Sequence, residues 1–237
     1  MATYVLSDIH GEYAMLRKML EKINFSDQDT LYVLGDVIDR GPHPVKALQY
    51  LMQLPNAICL VGNHELMAVQ ALPFLFKDIQ DISFDEDMDE MDSLMNWYYN
   101  GAKETLSELK QLSVPERVQV FEFMQNMLAY EEVQVAGKNY LLVHAGLGNF
   151  RPEKEMVDYT LGDLLWERAD YSVQYFPDKY VVSGHTPTQL IDENPKPGFI
   201  YRANNHISID CACSNELGRL ACICLDTGEE FYIEHMN

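Results

Sequence analysis

Short apolar runs that end in a polar cluster recur along the chain. Five such runs lead directly into clusters of Gly with Asp, His or Asn, at residues 3–6, 31–34, 57–61, 140–143 and 180–183. Continuous apolar runs of this length are typical of strands that are buried on both faces of a sheet. Because functional groups collect beyond the ends of such strands, the five clusters predict one shared site.

The segments between the first strands have the periodicity of amphipathic helices. Leu16, Met19, Leu20 and Ile23 share one face of a helix predicted over residues 12–23. A second helix is predicted over residues 44–54, with Pro44 in its first turn. This alternation predicts a βαβα order in the first half of an α/β fold.

The remaining elements complete the predicted fold. Three short strands, at residues 207–209, 220–225 and 230–233, are expected to form an antiparallel C-terminal part beside a mixed sheet. The fold class expected is therefore an α/β sandwich with mixed sheets, flanked by helices.

One stretch departs from the alternation of strands and helices. Residues 74–128 are rich in helical patterns and include an acidic run from Asp78 to Asp92. Asp85, Asp87 and Asp89 alternate as in a calcium loop, but Glu90 stands where such loops need Gly, which favours a solvated connection. We predict a single domain over residues 1–237, with a helical cap inserted at about 74–128.

The net charge of the chain limits the classes of partner that are expected. A formal net charge of −20 over 237 residues repels nucleic acids and anionic lipids, so neither is an expected partner. The sequence has no apolar run of membrane-spanning length and no signal-peptide pattern, so a cytoplasmic location is expected. An anionic substrate would need a local positive source, which bound metal ions would supply.

Four of the five cysteines form two C-x-C pairs, Cys211 with Cys213 and Cys222 with Cys224. Zinc sites usually have wider spacing, which makes a zinc site or a disulfide the less favoured interpretation. On strands, residues two apart share a face. The pairs are therefore expected to be small buried hydrophobes on neighbouring strands.

Six side chains in the polar clusters have the chemistry of metal ligands: Asp8, His10, Asp36, Asn63, His144 and His185. Taken singly, each is compatible with a polar turn or a buried structural residue, but all follow strands in the same way. Carboxylates, imidazoles and an amide without thiolate suit Mn, Fe or Zn. Six ligands fit two metals that share a carboxylate, with a shared water that loses its proton and attacks phosphorus. Phosphate-loop, dinucleotide-loop, H-E-x-x-H and G-x-S-x-G motifs are absent from the sequence.

The polar clusters resemble the signatures of a known family. Gly35-Asp36-Val37-Ile38-Asp39-Arg40-Gly41 and Gly62-Asn63-His64-Glu65 resemble those of the PPP-type phosphoprotein phosphatases, within the calcineurin-like metallophosphoesterases. Asp8-Ile9-His10-Gly11, His144-Ala145-Gly146 and Gly184-His185-Thr186 follow in the family's order. Residues 96–101 are similar to the bacterial and phage branch. The resemblance implies the metallophosphoesterase β-sandwich.

The resemblance also implies a role for each ligand. Asp8 and His10 would bind the first metal, and Asp36 would bridge both. The second metal would be bound by Asn63, His144 and His185. The implied cofactors are two metal ions, with Mn foremost and Fe or Zn as alternatives.

The resemblance assigns catalytic roles to other residues. His64 would protonate the leaving oxygen, and Asp39 would orient His64. Arg40 and Arg168 would bind phosphate oxygens, with Asn63 beside them, although a surface ion pair remains the alternative for Arg168.

The chain departs from the family at one motif. Where the family often has Ile-Asp-Thr-Gly, this sequence has Ile209-Asp210-Cys211-Ala212. The change leaves the backbone conformation there open. Asp210 is still expected to be a partner of a metal-binding histidine.

Two substrate classes follow from the resemblance. Hydrolysis of phosphoserine or phosphothreonine in proteins is the first, and symmetrical hydrolysis of diadenosine tetraphosphate or another small phosphoester is the alternative. Thr186-Pro187 favours the first, because the dinucleotide hydrolases tend to have an aromatic residue after Gly-His. A protein that binds phosphorylated partners without turnover is disfavoured, because every ligand and His64, Asp39 and Arg40 are present. The sequence does not indicate an oligomeric state.

Overall fold

Two five-stranded sheets form the centre of the molecule. The computed structural model describes residues 1–75 and 88–235. The strands are β1 (Thr3–Leu6), β2 (Thr30–Val33), β3 (Ala57–Cys59), β4 (Tyr130–Val135), β5 (Lys138–Val143), β6 (Lys179–Ser183), β7 (Tyr201–Ala203), β8 (His206–Ser208), β9 (Arg219–Cys224) and β10 (Glu230–Glu234). The helices are α1 (Tyr13–Lys22), α2 (Pro44–Met52), α3 (Asn63–Leu75), α4 (Met88–Tyr99), α5 (Lys103–Leu109), α6 (Val114–Gln125) and α7 (Leu161–Leu165).

Both sheets have mixed strand directions. The first has the order β10-β9-β1-β2-β3. In it β1, β2 and β3 are parallel to one another, whereas β9 is antiparallel to both of its neighbours, β1 and β10. The second has the order β4-β5-β6-β8-β7, in which β5, β6 and β8 are parallel and the two edge strands are antiparallel. The α/β sandwich with mixed sheets and flanking helices is confirmed.

The strands at the centre of each sheet are buried on both faces, as their continuous apolar runs predict. Val5 of β1 packs with Val182 of β6 in the core between the two sheets. The next residue, Leu6, packs with Leu16 of α1 in the core on the opposite face. Alternate side chains of one strand therefore enter two different cores, which fixes the register of the strand.

The C-terminal strands differ from the predicted antiparallel part. They divide between the sheets: β8 lies parallel to β6, whereas β9 and β10 extend the first sheet. Two edge strands, β4 and β7, are not among the strands expected from the sequence. In β4 the exposed Glu132 and Gln134 alternate with Val133 and Val135, because an edge strand can keep one side in water.

Four helices lie between β3 and β4, which confirms the helical character of this stretch in its described part. Its division from the rest of the chain as a cap in a single domain stays a prediction. The calcium-loop pattern at Asp85 and Asp87 lies outside the described residues. Within those residues, no helix is long and apolar enough to cross a membrane.

All five cysteines are buried and free. The prediction of neighbouring strands is correct for Cys222 and Cys224 on β9 and wrong for the other pair. Cys211 and Cys213 follow β8 in a loop, and Ala212 between them has a φ of 59°. This turn places Cys211 in the core between the sheets and Cys213 in the core of the first sheet and its helices.

Gly35 allows the loops after β2 and β3 to meet. It has a φ of +85°, and a Cβ there would lie 2.5 Å from the backbone nitrogen of Gly62. The loop that carries Asp36 can therefore pack directly on the loop that carries Asn63. A left-handed backbone favours Gly by itself, and here a side chain would also collide with backbone.

Gly35→Ala should lower the free energy of unfolding by about 3 kcal/mol or more, because backbone strain and a collision add together. Gly137 is the matched control, since its φ is +77° and a Cβ would meet nothing within 4 Å. Gly137→Ala should lower it by about 1–2 kcal/mol from strain alone. Urea unfolding measures both variants. Equal losses of stability in the two variants would show that the collision with Gly62 adds nothing to the cost of the Gly35 substitution.

Candidate metal centre

The loops after five parallel strands bring the six predicted ligands to one end of the sandwich. Asp8 and His10 follow β1, Asp36 follows β2, Asn63 begins α3 after β3, His144 follows β5 and His185 follows β6. Backbone hydrogen bonds join these loops. His10 N–H donates to the Asp36 carbonyl at 2.8 Å, and Gly184 N–H donates to the His144 carbonyl at 2.8 Å. Loops of both sheets therefore contribute to one site.

The carboxylate of Asp36 lies between two groups of imidazoles. Its Oδ2 is 3.6 Å from His10 Nε2 and 3.9 Å from His64 Nε2, and its Oδ1 is 3.6 Å from His144 Nε2. The ligand atoms of His10, Asp36 and His64 form one compact group, and those of Asp36, His144 and His185 form another. Asp36 belongs to both, which is the geometry required of a bridging ligand.

Backbone carbonyls fix the tautomers of two histidines. His10 Nδ1 lies 3.0 Å from the Ile38 carbonyl, and His144 Nδ1 lies 2.7 Å from the Leu34 carbonyl. Because a carbonyl only accepts, each Nδ1 must carry the proton. Each Nε2 then presents a lone pair to the centre of the site, as a metal-binding imidazole must.

The contacts of Asn63 show that the donor set fits a metal ion. Asn63 Oδ1 lies 2.9 Å from His144 Nε2 and 3.0 Å from His185 Nδ1. Two acceptors, the amide oxygen and the lone pair of His144, therefore face each other at hydrogen-bond distance. A proton or a cation between them would compensate both, and burial holds the pKa of His144 well below its usual value, which disfavours the proton. A metal ion satisfies the same atoms.

Asp8 lies beside these groups and belongs to neither of them. Its carboxylate accepts hydrogen bonds from the Ser7 hydroxyl and from the backbone N–H of His185, the latter at 3.0 Å. Its assignment to the first metal stays a proposal.

Asp210 lies near Asp8 and not beside a histidine. It accepts the Ala212 N–H at 2.8 Å, and its charge helps to raise the pKa of Asp8. In the described part of the chain no hydrogen bond joins it to an imidazole, so its predicted role as a histidine partner has no contact to support it. Ala212, where the family often has Gly, keeps the left-handed backbone with a φ of 59°.

Left-handed backbone conformations concentrate at the site. Six of its non-glycine residues have a positive φ: Asp8, His10, Asp36, Asp39, Arg40 and His185. Asp and His tolerate this conformation better than most residues, but each instance still costs energy. The strain turns consecutive side chains toward one point, and the packing of the loops must offset it.

Glu65 supports the site without facing it, and its role was not predicted from the sequence. The carboxylate is fully buried and accepts four backbone N–H groups, from Gly62, Asp36, Val37 and Ile38, at 2.8–3.2 Å. Glu65 thereby ties the loop after β2 to the start of α3. Its place three residues after Gly62 in a known motif was the signal that could have revealed it.

His64 and Asp39 form a buried pair beside Asp36. His64 Nδ1 lies 2.7 Å from Asp39 Oδ2, and both side chains are fully buried. Arg40 covers the pair, since its guanidinium lies 2.9 Å from His64 Nε2 and 2.8 Å from His10 Nε2. The structure brings the three predicted catalytic residues together.

Arg168 lies on the other side of the site, near His185. Its positive charge contributes to lowering the pKa of His185, and it lines a cavity of about 250 Å³ with Thr186. The residue is exposed, and no salt bridge to it occurs among residues 1–75 and 88–235. The surface ion pair considered for it is therefore not present there, and phosphate binding stays a proposal.

Burial opposes charge on both kinds of ligand. It raises the pKa of Asp8 and Asp36 well above the usual value, and the charge of Asp8 raises that of Asp36 further. Burial also lowers the pKa of His10 well below its usual value and that of His185 to about 4. The imidazoles are thus already in the neutral form that binds metal, whereas the carboxylates need a cation to ionise fully.

Comparison with known proteins identifies a family that this chain resembles over most of its length. The sequence model described as calcineurin-like phosphoesterase matches residues 1–208. The symmetrical bis(5'-nucleosyl)-tetraphosphatase of Buchnera aphidicola subsp. Acyrthosiphon pisum (strain 5A) is 38% identical over 101 residues, which are 41% of this chain and 37% of that protein. Serine/threonine-protein phosphatase 2 of Salmonella typhimurium is 33% identical over 172 residues, 70% of this chain and 67% of that protein. The aligned region spans little more than a third of the first relative.

Solved structures share the fold at low sequence identity. A crystal structure assigned as a diadenosine tetraphosphatase superposes with a TM-score of 0.68 at 18% identity, covering 99% of this chain and 94% of that one. A protein serine/threonine phosphatase from Saccharomyces cerevisiae superposes with a TM-score of 0.58 at 14% identity, covering 100% and 81%. At these identities the likeness concerns the fold alone.

Metal binding should release protons from the carboxylates and none from His185 at neutral pH. The raised pKa of Asp8 and Asp36 means that they retain protons above their usual range, and a cation displaces those protons. The affinity of the metal-free protein for Mn²⁺ should therefore keep rising with pH above the range in which Asp carboxyls usually titrate. Calorimetry in two buffers of different ionisation enthalpy measures the protons released. A constant affinity without proton release would contradict these pKa directions.

Asp36→Asn should remove both metal ions, because both ligand groups share this carboxylate. His185→Ala is the matched control and should weaken one ion only, since His185 belongs to one group. Native mass spectrometry of Mn²⁺-loaded protein counts the ions. A fully occupied two-ion site in Asp36→Asn would refute the bridging role.

Proposed function

This chain belongs to the calcineurin-like phosphoesterase family, and we propose that it hydrolyses dinucleoside tetraphosphates symmetrically. It is a dinuclear metal-dependent phosphoesterase. The observation that carries the proposal is the position of Asp36, whose two carboxylate oxygens face two separate groups of imidazoles. Two metal ions held by these two groups would suit hydrolysis at one phosphorus atom of a chain of phosphates.

Each residue would have a defined task at this centre. Asp8 and His10 would hold one ion, Asn63, His144 and His185 the other, and Asp36 both. When bound, the ions would supply positive charge to the phosphate and an activated water. The guanidinium of Arg40 would bind phosphate oxygens, and His64 Nε2 would donate a proton to the leaving oxygen.

The local charge also suits a polyphosphate. The chain has a formal net charge of −20, so a multiply charged substrate is repelled everywhere except near cations. Arg40 lies directly over the imidazoles, and Arg168 lies near His185. Two metal ions and two guanidinium groups would form a positive channel in an acidic protein.

The dinucleotide replaces the phosphoprotein as the first choice of substrate. Several similar proteins are symmetrical bis(5'-nucleosyl)-tetraphosphatases, although the one from Buchnera aphidicola aligns over less than half of this chain. Thr186-Pro187 favours the phosphoprotein, but Thr186 also has a structural role that is independent of the substrate. Thr186 is buried, and its N–H donates to the Gly184 carbonyl at 2.6 Å, so it closes the turn that carries His185.

Hydrolysis of phosphoserine or phosphothreonine in proteins remains the second candidate. The longer alignment with serine/threonine-protein phosphatase 2 favours it. Manganese as the resident metal and a cytoplasmic location remain predictions with either substrate.

Turnover of diadenosine tetraphosphate by the Mn²⁺-loaded protein should give ADP as the sole nucleotide product. A phosphoserine peptide and p-nitrophenyl phosphate run in parallel should be hydrolysed with a kcat/KM at least about tenfold lower. The Asp36→Asn protein, purified in the same way, controls for contaminating hydrolases. A preference for the peptide would move the assignment to the protein phosphatases, and ATP with AMP would rule out symmetrical cleavage.

A further inference from the structure

Two helices from the stretch between β3 and β4 extend to the metal centre and contact Asp39. Trp97 of α4 donates its indole Nε1–H to Asp39 Oδ2 at 2.8 Å. Thr105 of α5 donates its hydroxyl to Asp39 Oδ1 at 2.5 Å. With His64 at 2.7 Å from Oδ2, the carboxylate has three donors from three different helices.

The same helices hold the backbone of the catalytic loop. The Asp39 N–H donates to the Thr105 hydroxyl oxygen at 3.0 Å, so Thr105 bonds both the backbone and the side chain of Asp39. The Arg40 N–H donates at 3.0 Å to the carbonyl of Gly101, between α4 and α5. Asp39 and Arg40 have φ values of 71° and 65°, so these bonds secure a strained backbone.

The contacts around Asp39 exclude water. Asp39, His64 and Trp97 are fully buried, and Thr105 is 2% exposed. A buried carboxylate is costly unless hydrogen bonds compensate its charge. Hydrogen bonds to a carboxylate are also strong ones, so these three donors fix the direction of the Asp39 side chain.

We propose that Trp97 and Thr105 are positioning residues for the general acid. They hold the Asp39 carboxylate so that its Oδ2 keeps His64 Nδ1, and His64 Nε2 then points to the leaving oxygen. The proposal rests on the proposed function and concerns leaving oxygens that are poor anions, such as that of serine, to which His64 donates a proton. The ADP phosphate that leaves a dinucleotide is acidic, as p-nitrophenol is, and depends less on that proton. The helices α4 and α5 are then part of the catalytic apparatus, in addition to any effect of a cap on substrate choice.

A purely structural role for the two residues predicts a different result. Loss of stability would lower activity on all substrates alike or leave it unchanged at low temperature. Misplacement of a general acid lowers the rate only where the leaving oxygen needs a proton. The dependence of rate on the leaving group therefore distinguishes the two roles.

Thr105→Val keeps the shape of the side chain and removes the hydroxyl. In the Mn²⁺-loaded protein, kcat for phosphoserine should fall about 10–100-fold, whereas kcat for p-nitrophenyl phosphate, whose leaving group needs no proton, should fall less than about threefold. Trp97→Phe should give the same pattern. Thr105→Ser should restore kcat on phosphoserine to within about threefold of the original protein, because it returns the hydroxyl. KM should stay unchanged in each variant.

Two controls separate the possible failures. Leu109→Ala creates a cavity in α5 at a buried residue that makes no hydrogen bond to Asp39, and it should show no dependence on the leaving group. His64→Asn should show the full dependence. If the rate of His64→Asn does not depend on the leaving group, His64 is not the general acid. If it shows the dependence while Thr105→Val and Trp97→Phe do not, only the positioning role is overturned.

A second readout needs neither metal nor turnover. The chain has two tryptophans, and Trp166 is 43% exposed, so it is an internal reference. In the metal-free protein labelled with ¹⁵N, the Trp97 indole N–H should exchange with solvent at least about 100-fold more slowly than that of Trp166. Asp39→Asn and Thr105→Val should shift the Trp97 resonance and leave Trp166 in place. Equal exchange rates, or no shift, would overturn the proposal.

Discussion

The carboxylate of Asp36 lies where burial opposes its negative charge, and the surrounding loops hold it in that position. Burial raises its pKa well above the usual value, and the charges of Asp8 and Glu65 add to that effect. The backbone N–H of His64 donates to its Oδ1 at 3.1 Å, and Glu65 holds its backbone. The strained loops of both sheets converge on this residue. A pair of cations is the compensation that fits the lone pairs around it.

The sequence revealed the ligands because they share a simple rule. Each follows a buried strand, and a run of apolar residues with a polar cluster at its end is visible without a structure. His10, Asp36 and His144 come together for this reason. The directions of β1, β2 and β3 in one sheet, and of β5 and β6 in the other, follow from the same pattern.

Other contributors could not be predicted in this way. Trp97 and Thr105 lie on helices whose patterns indicate only an insertion, and 58 and 66 residues separate them from Asp39. Their contacts depend on how α4 and α5 pack, which local periodicity does not encode. The edge strand β4 was missed because half of its residues are polar, so its signal resembles a polar connection.

The position of Trp97 and Thr105 changes the view of the helical stretch. A separate cap would affect only which substrates enter. Here the hydrogen bonds of α4 and α5 reach the carboxylate that orients His64, so packing of these helices and proton transfer depend on the same atoms. Variation in this stretch would then alter the rate of the reaction as well as its specificity.

Anomalous diffraction from crystals grown with Mn²⁺ tests the central claim most directly. Two anomalous peaks about 3.5–4 Å apart are expected, with the Asp36 carboxylate between them. Asn63, His144 and His185 should surround one peak, and His10 should contact the other. A single peak, or two peaks that do not share Asp36, would contradict the dinuclear centre.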